Sequence, residues 1–408
     1  MTHPNYRARF HDYLAKLKQE GRYRHFAVLE RHCGAFPKAS MHTATGVKDV
    51  TIWCSNDYLG MGQHTAVLEA MHEALDMWGA GSGGTRNISG NMLVHTQLES
   101  ELAAWHAKEA ALLFTSGYNA NEGALSALIK LLPGCVVFSD QKNHASMIAG
   151  ITRNHCNKNI FAHNNLADLE RQLAETSSDT FKIVACESVY SMDGTIAPLR
   201  EIGMLAHKYG ALTYLDEVHG VGLYGANGAG VAERDDCLDL FDVIVANFGK
   251  SFGVAGGYVA ASRETIDAIR SHAPGFIFTT SLPPVVAAGA LASLRVLRDA
   301  HDLRSRMHRQ VDLLRKRLLE VKLPILTSGS HIVPLLIGGA QCCKGVADWL
   351  FENVNIYVQP INYPTVATGE ERLRLTPTPL HTDAMIDELV DSLDFLWRQQ
   401  HLPRRIAA

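Results

Sequence analysis

The chain has 408 residues, 47% of them apolar, with 38 basic and 42 acidic residues and a formal net charge of -4. That length buries a large core and favours a large domain joined to a smaller one, while the near-neutral balance excludes the basic surface of a nucleic-acid or membrane-surface partner. Eight cysteines occur without any CxxC spacing, which excludes a zinc module or disulfide scaffold and leaves reduced, mostly buried thiols.

Met1 to Glu20 is polar and amphipathic, with no apolar signal core. Tyr6 to about Glu30 is predicted as a helical arm from the spacing of Leu14 and Leu17 among charges. Val50-Thr-Ile-Trp-Cys54 reads as a short strand, followed by the turn Ser55-Asn56-Asp57 and a helix around Ala66 to Trp78. After the glycine-rich stretch Gly79 to Gly90 comes a helical pattern from His95 to Lys108. Apolar runs then alternate with helical patterns: Ala111–Phe114, Cys135–Phe138, Ile183–Cys186, Leu212–Leu215, Val243–Ala246 and Tyr258–Ala261. Most do not alternate apolar with polar, as expected of strands covered on both faces by helices. The fold class is therefore α/β with a mainly parallel sheet.

The smoothest apolar stretch, near Val285 to Leu297, comes after Pro283-Pro284 and carries Arg295. No membrane span is expected there, and a cytoplasmic location is the default expectation. Apolar runs at Ile332–Ile337 and Ile356–Val358 and an amphipathic helix from Asp383 to Trp397 suggest a small α+β domain of roughly 110 residues. The expected division is an N-terminal arm and segment, 1–60, a large α/β domain, 61–290, and a small C-terminal domain, 291–408.

Four of the runs end in polar residues: Ser139-Asp140 after Cys135–Phe138, Glu187-Ser188 after Ile183–Cys186, Asp216-Glu217 after Leu212–Leu215, and Gly249-Lys250 after Val243–Ala246. Open α/β sheets bind ligands beyond the carboxyl ends of their strands, so these ends outline a site. A lysine there is costly to desolvate without a purpose, and burial makes its amine a usable nucleophile. Asp216 and Lys250 lie 34 residues apart, about one strand-helix-strand unit. An aspartate and a lysine on neighbouring strand ends suit pyridoxal phosphate: the lysine bonds the aldehyde as a Schiff base, and the aspartate keeps the pyridine nitrogen protonated. Gly79-Ala-Gly81-Ser-Gly83-Gly84 is no dinucleotide fingerprint, because it comes after a helical pattern and not a strand. Thr115-Ser116-Gly117-Tyr118-Asn119, between a strand and a helix, is a better phosphate cradle.

Asn56-Asp-Tyr-Leu-Gly60, Gly83-Gly-Thr-Arg-Asn-Ile-Ser-Gly90, Ser188-Val-Tyr-Ser-Met-Asp-Gly194, Asp216-Glu-Val-His219 and Gly249-Lys-Ser-Phe-Gly253 together resemble the α-oxoamine synthases, a family of fold-type I pyridoxal-phosphate enzymes. The resemblance runs from about Gly21 to the end. Trp53–Gly62, Thr85–Gly90 and Tyr357–Thr365 are similar to bacterial members that condense glycine with succinyl-CoA to 5-aminolevulinate, CoA and carbon dioxide. It implies a seven-stranded sheet in the cofactor-binding domain and a homodimer with shared active sites.

The resemblance also assigns roles. Lys250 carries the cofactor and shuttles the glycine α-proton, Asp216 pairs with the ring nitrogen, His219 sits near the phenolic oxygen, and His144 stacks on the ring. Ser116, Gly117 and Tyr118 surround the phosphate, which Thr279 and Thr280 reach from the partner subunit. Asn56, Ser191 and Arg374 bind the amino-acid carboxylate. Arg24, Thr85, Asn87 and Thr365 contact the acyl end, and Ser139 and Lys158 lie on the substrate path. By residue type alone, His144 and His219 read as structural histidines, and Arg24 and Lys158 as surface charges.

Three positions depart from the family pattern: Asn247 replaces the usual threonine beside the phosphate, Gly220 a common alanine, and Asn91-Met92 a threonine pair. The alternatives are a sibling condensation with another acyl-CoA or amino acid (glycine C-acetyltransferase, 8-amino-7-oxononanoate synthase) and a non-catalytic protein on the same fold.

Overall fold

A computed structural model describes residues 4–404. The chain divides into two compact units, one of 56–191 and 195–305, the other of the residues up to Ser55, 192–194 and the residues from Arg306 on.

The larger unit is built on seven strands in the spatial order Ala110–Phe114, Gly257–Ala261, Val243–Asn247, Leu212–Asp216, Lys182–Glu187, Val136–Asp140, Asn157–Phe161. Five run parallel from Val243–Asn247 to the Asn157–Phe161 edge, and Gly257–Ala261 is antiparallel to both its neighbours. All six apolar runs are strands of this sheet. The seventh strand, implied by the resemblance but not located among the apolar runs, is Asn157-Lys-Asn-Ile-Phe161: it is a half-exposed edge strand, so its sequence is polar. The helix Gly117–Leu131 crosses one face, burying Ala120, Ala124, Leu125, Leu128 and Ile129 in a core with Leu112, Val137, Ile183, Val245 and Val259. Each fully buried leucine, isoleucine or valine side chain here contributes about 1.5–3 kcal/mol.

In the smaller unit the expected helical arm is shorter than the sequence suggested. The helix Tyr6–Gln19 ends at Glu20, and Val28–Glu30 is a strand paired with Lys38–Thr43. Gly21, at φ +68°, turns the chain out of the helix. The strand Gly46–Ile52 pairs in parallel with Ile356–Tyr357, so the N-terminal segment and the C-terminal part share a sheet. The three consecutive segments expected from the sequence thus form two units. A three-stranded sheet of Val333–Leu336, Arg372–Leu375 and Pro360–Ile361 and the helix Asp383–Gln399 complete the smaller unit.

Among the described residues no helix is long and apolar enough to cross a membrane. The cysteines are free, and no group of His, Cys, Asp and Glu is arranged for a metal among the described residues.

Candidate active site

The carboxyl ends of the sheet strands in the larger unit surround one cavity, lined by Gly117, Tyr118, Asn121, His144, Ser146, Glu187, Asp216, Val218, His219, Asn247 and Lys250. Lys250 lies three residues beyond the strand Val243–Asn247, on a turn that Gly253 makes possible. Gly253 has φ +75°, and a Cβ there would lie 2.0 Å from the amide nitrogen of Gly62. The loop of Asp57 to Gly62 is thereby packed against the lysine turn, with Asp57 accepting from the Gly62 amide at 3.2 Å.

Lys250 Nζ is 2.9 Å from His219 Nε2, and His219 Nδ1 is 2.7 Å from the hydroxyl of fully buried Tyr58. Tyr58 donates to Asn56 Oδ1 at 3.2 Å, so its oxygen accepts from the Nδ1–H of His219. That leaves Nε2 of His219 to accept from the lysine. Tyr58 was not singled out from the sequence; its place in the Asn56–Gly60 motif was the available signal.

Asp216 ends the strand Leu212–Asp216. Its Oδ1 accepts from the Val218 amide at 2.8 Å and its Oδ2 from Asn121 Nδ2 at 2.6 Å. Asn121 is itself oriented by Tyr214, whose hydroxyl donates to Asn121 Oδ1 at 2.9 Å. Sequence reasoning missed Asn121, a polar residue on a helix face that is otherwise apolar and small. His144 caps the helix Ala145–Thr152, accepting from the Ser146 amide at 3.2 Å. Burial above all, and Lys250 besides, push its pKa down against the opposing pull of Asp216, which favours a neutral ring.

Ser116 caps the helix Gly117–Leu131 as expected, its hydroxyl accepting from the Asn119 amide at 3.1 Å. The amides of the first helical turn have no partner within the helix and can bind an anion. A Cβ on Gly117 would lie 2.7 Å from Asn247 Cβ, so this residue leaves the helix start pressed against the strand end.

The other expected residues are spread over both units. In the larger unit, Thr85 bridges to Thr280. Thr279 and Thr280 line a crevice with Arg86, His95 and Thr115, and Lys250 is not among its lining residues. Asn87 lines a pocket with Arg86, Glu99 and Arg270. Ser191 is partly exposed beyond the strand Lys182–Glu187. Ser139 is buried and accepts from Asn143 Nδ2 at 2.8 Å, outside the residues that line the lysine cavity. Lys158 is exposed on the edge strand. In the smaller unit, Arg24 and Thr365 line one cavity of about 670 Å³, and Arg374 is buried on the strand Arg372–Leu375.

The lysine cavity suits pyridoxal phosphate on its own evidence. Asn247 holds a buried Oδ1 with no hydrogen-bond partner and an amide that can donate to an anion. A helix N-terminus, a carboxylate that can accept from a protonated ring nitrogen and an amine that can bond an aldehyde complete the set of groups the cofactor needs. These features, at the carboxyl ends of a mainly parallel seven-stranded sheet, are those of the fold-type I pyridoxal-phosphate transferases.

Comparison with known proteins narrows the class. The family model described as aminotransferase class I and II matches residues 48–393. The chain is 56% identical over 392 residues to 5-aminolevulinate synthase 1 of Cereibacter sphaeroides, covering 96% of each chain. It is 55% identical to 5-aminolevulinate synthase of Rhizobium meliloti, covering 98% of each. Among solved structures it is similar to the serine palmitoyltransferase of Sphingomonas wittichii, with a TM-score of 0.90 and 28% identity over 97% of this chain and 98% of that one. The chain belongs to the aminotransferase class I and II family and, within it, to the 5-aminolevulinate synthases.

Proposed function

We propose that this chain condenses glycine with succinyl-CoA to give 5-aminolevulinate, joining the glycine α-carbon to the succinyl carbonyl, expelling CoA and losing the glycine carboxyl as carbon dioxide. The carrying observation is the amine of Lys250 held against His219 in one cavity with Asp216, whose two oxygens each accept one hydrogen bond, in a chain 56% identical to a 5-aminolevulinate synthase. When bound, pyridoxal phosphate supplies an aldehyde for an amine and a ring that accepts the electron pair left when glycine loses its α-proton.

The chain's own residues do the rest. Asp216, acceptor to two donors, places a negative charge where a protonated ring nitrogen needs one. His144, neutral, offers a flat face. The amides of Gly117 and Tyr118, the hydroxyl of Ser116 and the amide of Asn247 take the phosphate. Lys250, freed once glycine takes its place, removes and returns the α-proton, and the tautomer imposed by Tyr58 leaves His219 Nε2 an acceptor for the lysine amine. We place the glycine carboxylate at Arg374, Asn56 and Ser191 by their match to the family motifs, and Thr85, Asn87, Ser139 and Lys158 on the acyl-CoA path on the same ground. The enzyme is further proposed to be a cytoplasmic homodimer in which Thr279 and Thr280 serve the partner's phosphate. Their lining of a crevice that Lys250 does not line supports that reading.

The acyl end is assigned to Arg24. The succinyl carboxylate, taken out of water, needs a cation, and a guanidinium is the best available partner. Arg22, the rival on the same arm, is engaged by Glu20 at 2.6 Å and lies over the Tyr363 ring. Arg24 makes no ion pair among the described residues and shares its cavity with Thr365. Arg24→Leu is expected to raise the KM for succinyl-CoA sharply, to affect glycine much less and to improve relative use of butyryl-CoA. Unchanged succinyl selectivity in Arg24→Leu would show that this pocket does not read the acyl group.

A further inference from the structure

The cavity contains a second buried carboxyl that the proposed reaction does not use. Glu187 ends the strand Lys182–Glu187 and stands in register with Asp216 on the neighbouring parallel strand, so both side chains leave the sheet on the same face. Glu187 is 3% exposed and lines the cavity with Asp216, His144 and Lys250.

The two carboxyls are provided for unequally. Asp216 has a donor on each oxygen. Glu187 has the His144 backbone amide, while its Oε1 is buried with no hydrogen-bond partner. Two like charges side by side in a dry site are costly, and the pair relieves the cost by keeping one proton. The proton belongs on the carboxyl with fewer donors. The charged groups facing Glu187 are Asp216 and Asp140, which oppose its ionisation, and Lys250, which favours it; burial, the largest influence, adds to the opposition and holds its pKa well above the carboxylate range.

We propose that Glu187 is a positioning residue that stays protonated beside Asp216, so that one negative charge faces the cofactor's ring nitrogen and an O–H donor remains in the cavity wall. The inference rests on reading this cavity as the pyridoxal-phosphate site. A permanently ionised pair would instead confront Lys250 with two anions and favour an ion pair over the neutral amine that proton transfer needs.

The test uses the holoenzyme and three proteins: wild type, E187Q and E187L. A neutral carboxyl is mimicked by glutamine and not by leucine. E187L is expected to bind pyridoxal phosphate on the order of tenfold more weakly, the scale of one buried hydrogen bond, and E187Q to recover most of that affinity. The wild-type infrared spectrum should contain the carbonyl band of a protonated carboxyl that is missing from E187Q. Should E187L fail to fold, the infrared comparison with E187Q decides alone. Absence of the band, equal loss of affinity in E187Q and E187L, or no loss in either overturns the inference. Borohydride trapping of the wild type separates this failure from failure of the site reading: cofactor on a residue other than Lys250 sinks the site, whereas label on Lys250 with no rescue by glutamine sinks only the role of Glu187.

Discussion

Asparagine at position 216 keeps one of the two acceptor oxygens and removes the charge. If Asp216 acts by that charge, Asp216→Asn folds with little loss of thermal stability but turns over on the order of 10²–10³-fold more slowly, the scale of deleting one preorganised electrostatic contact. Near-normal turnover would count against the assignment. A second carboxyl gives a pH signature. Glu217 accepts from Ser188 Oγ at 2.5 Å and from the Ala232 amide at 2.8 Å, yet burial raises its pKa from 4.5 to about 7. The folded chain therefore holds this proton more tightly than the unfolded chain. Its ionisation costs nothing below about pH 4.5 and progressively lowers stability as pH rises to about 7, by up to on the order of 3 kcal/mol. Glu217→Gln keeps both hydrogen-bonding positions and removes the penalty, so its unfolding temperature should fall less than the wild type's across that window; identical pH slopes would contradict this. Gly220 belongs to the same arrangement. A Cβ there would lie 1.8 Å from Glu217 Oε2, so an alanine at this position would require the buried carboxyl to shift. Lys250 and Asp216 were readable as strand-end residues, whereas His144 and His219 were singled out only through the family motifs. The roles of Tyr58, Asn121 and Glu217 were not legible, because they arise from partners 161, 95 and 29 residues away in the chain.

At the scale of elements, the helix Gly117–Leu131 carries both the proposed phosphate cradle and the core. A Cβ on Gly257 would lie 2.7 Å from the Gly117 amide nitrogen, and one on Gly117 would lie 2.7 Å from Asn247 Cβ. Two glycines thus seat the helix start directly on two strands. Gly117→Ala should cost about 1–3 kcal/mol through overpacking and weaken pyridoxal-phosphate binding with it, as equilibrium dialysis and thermal unfolding would show. Unaltered affinity would mean that the cradle lies elsewhere. The strand–turn–helix context of Thr115 to Asn119 was readable because an apolar run, a polar cap and a helical pattern coincide. The antiparallel direction of Gly257–Ala261 was not, since a strand buried on both faces has the same composition in either direction. The arm failed differently: helical spacing continued past Gly21 in the sequence, but a left-handed glycine and strand pairing by Val28–Glu30 ended the helix.

At the scale of the whole molecule, composition and run spacing supplied the α/β class, and strand-end polarity pointed to the cofactor. The joining of N-terminal and C-terminal segments in one unit was beyond such reasoning, because it depends on pairing between residues some 300 positions apart. The proposed sharing of Thr279 and Thr280 between subunits requires a dimer at working concentration. Sedimentation under assay conditions is expected to show a dimer, and a fully active monomer would remove those threonines from the phosphate site.

The central claim concerns the product. The purified holoenzyme should be given glycine with an equimolar mixture of succinyl-CoA, acetyl-CoA and butyryl-CoA, and the released amino ketones identified by mass. The expected result is 5-aminolevulinate as the main product, formed in step with CoA release and absent from Lys250→Ala. A main product carrying the acetyl or butyryl carbons, or CoA release without an amino ketone, would contradict the account.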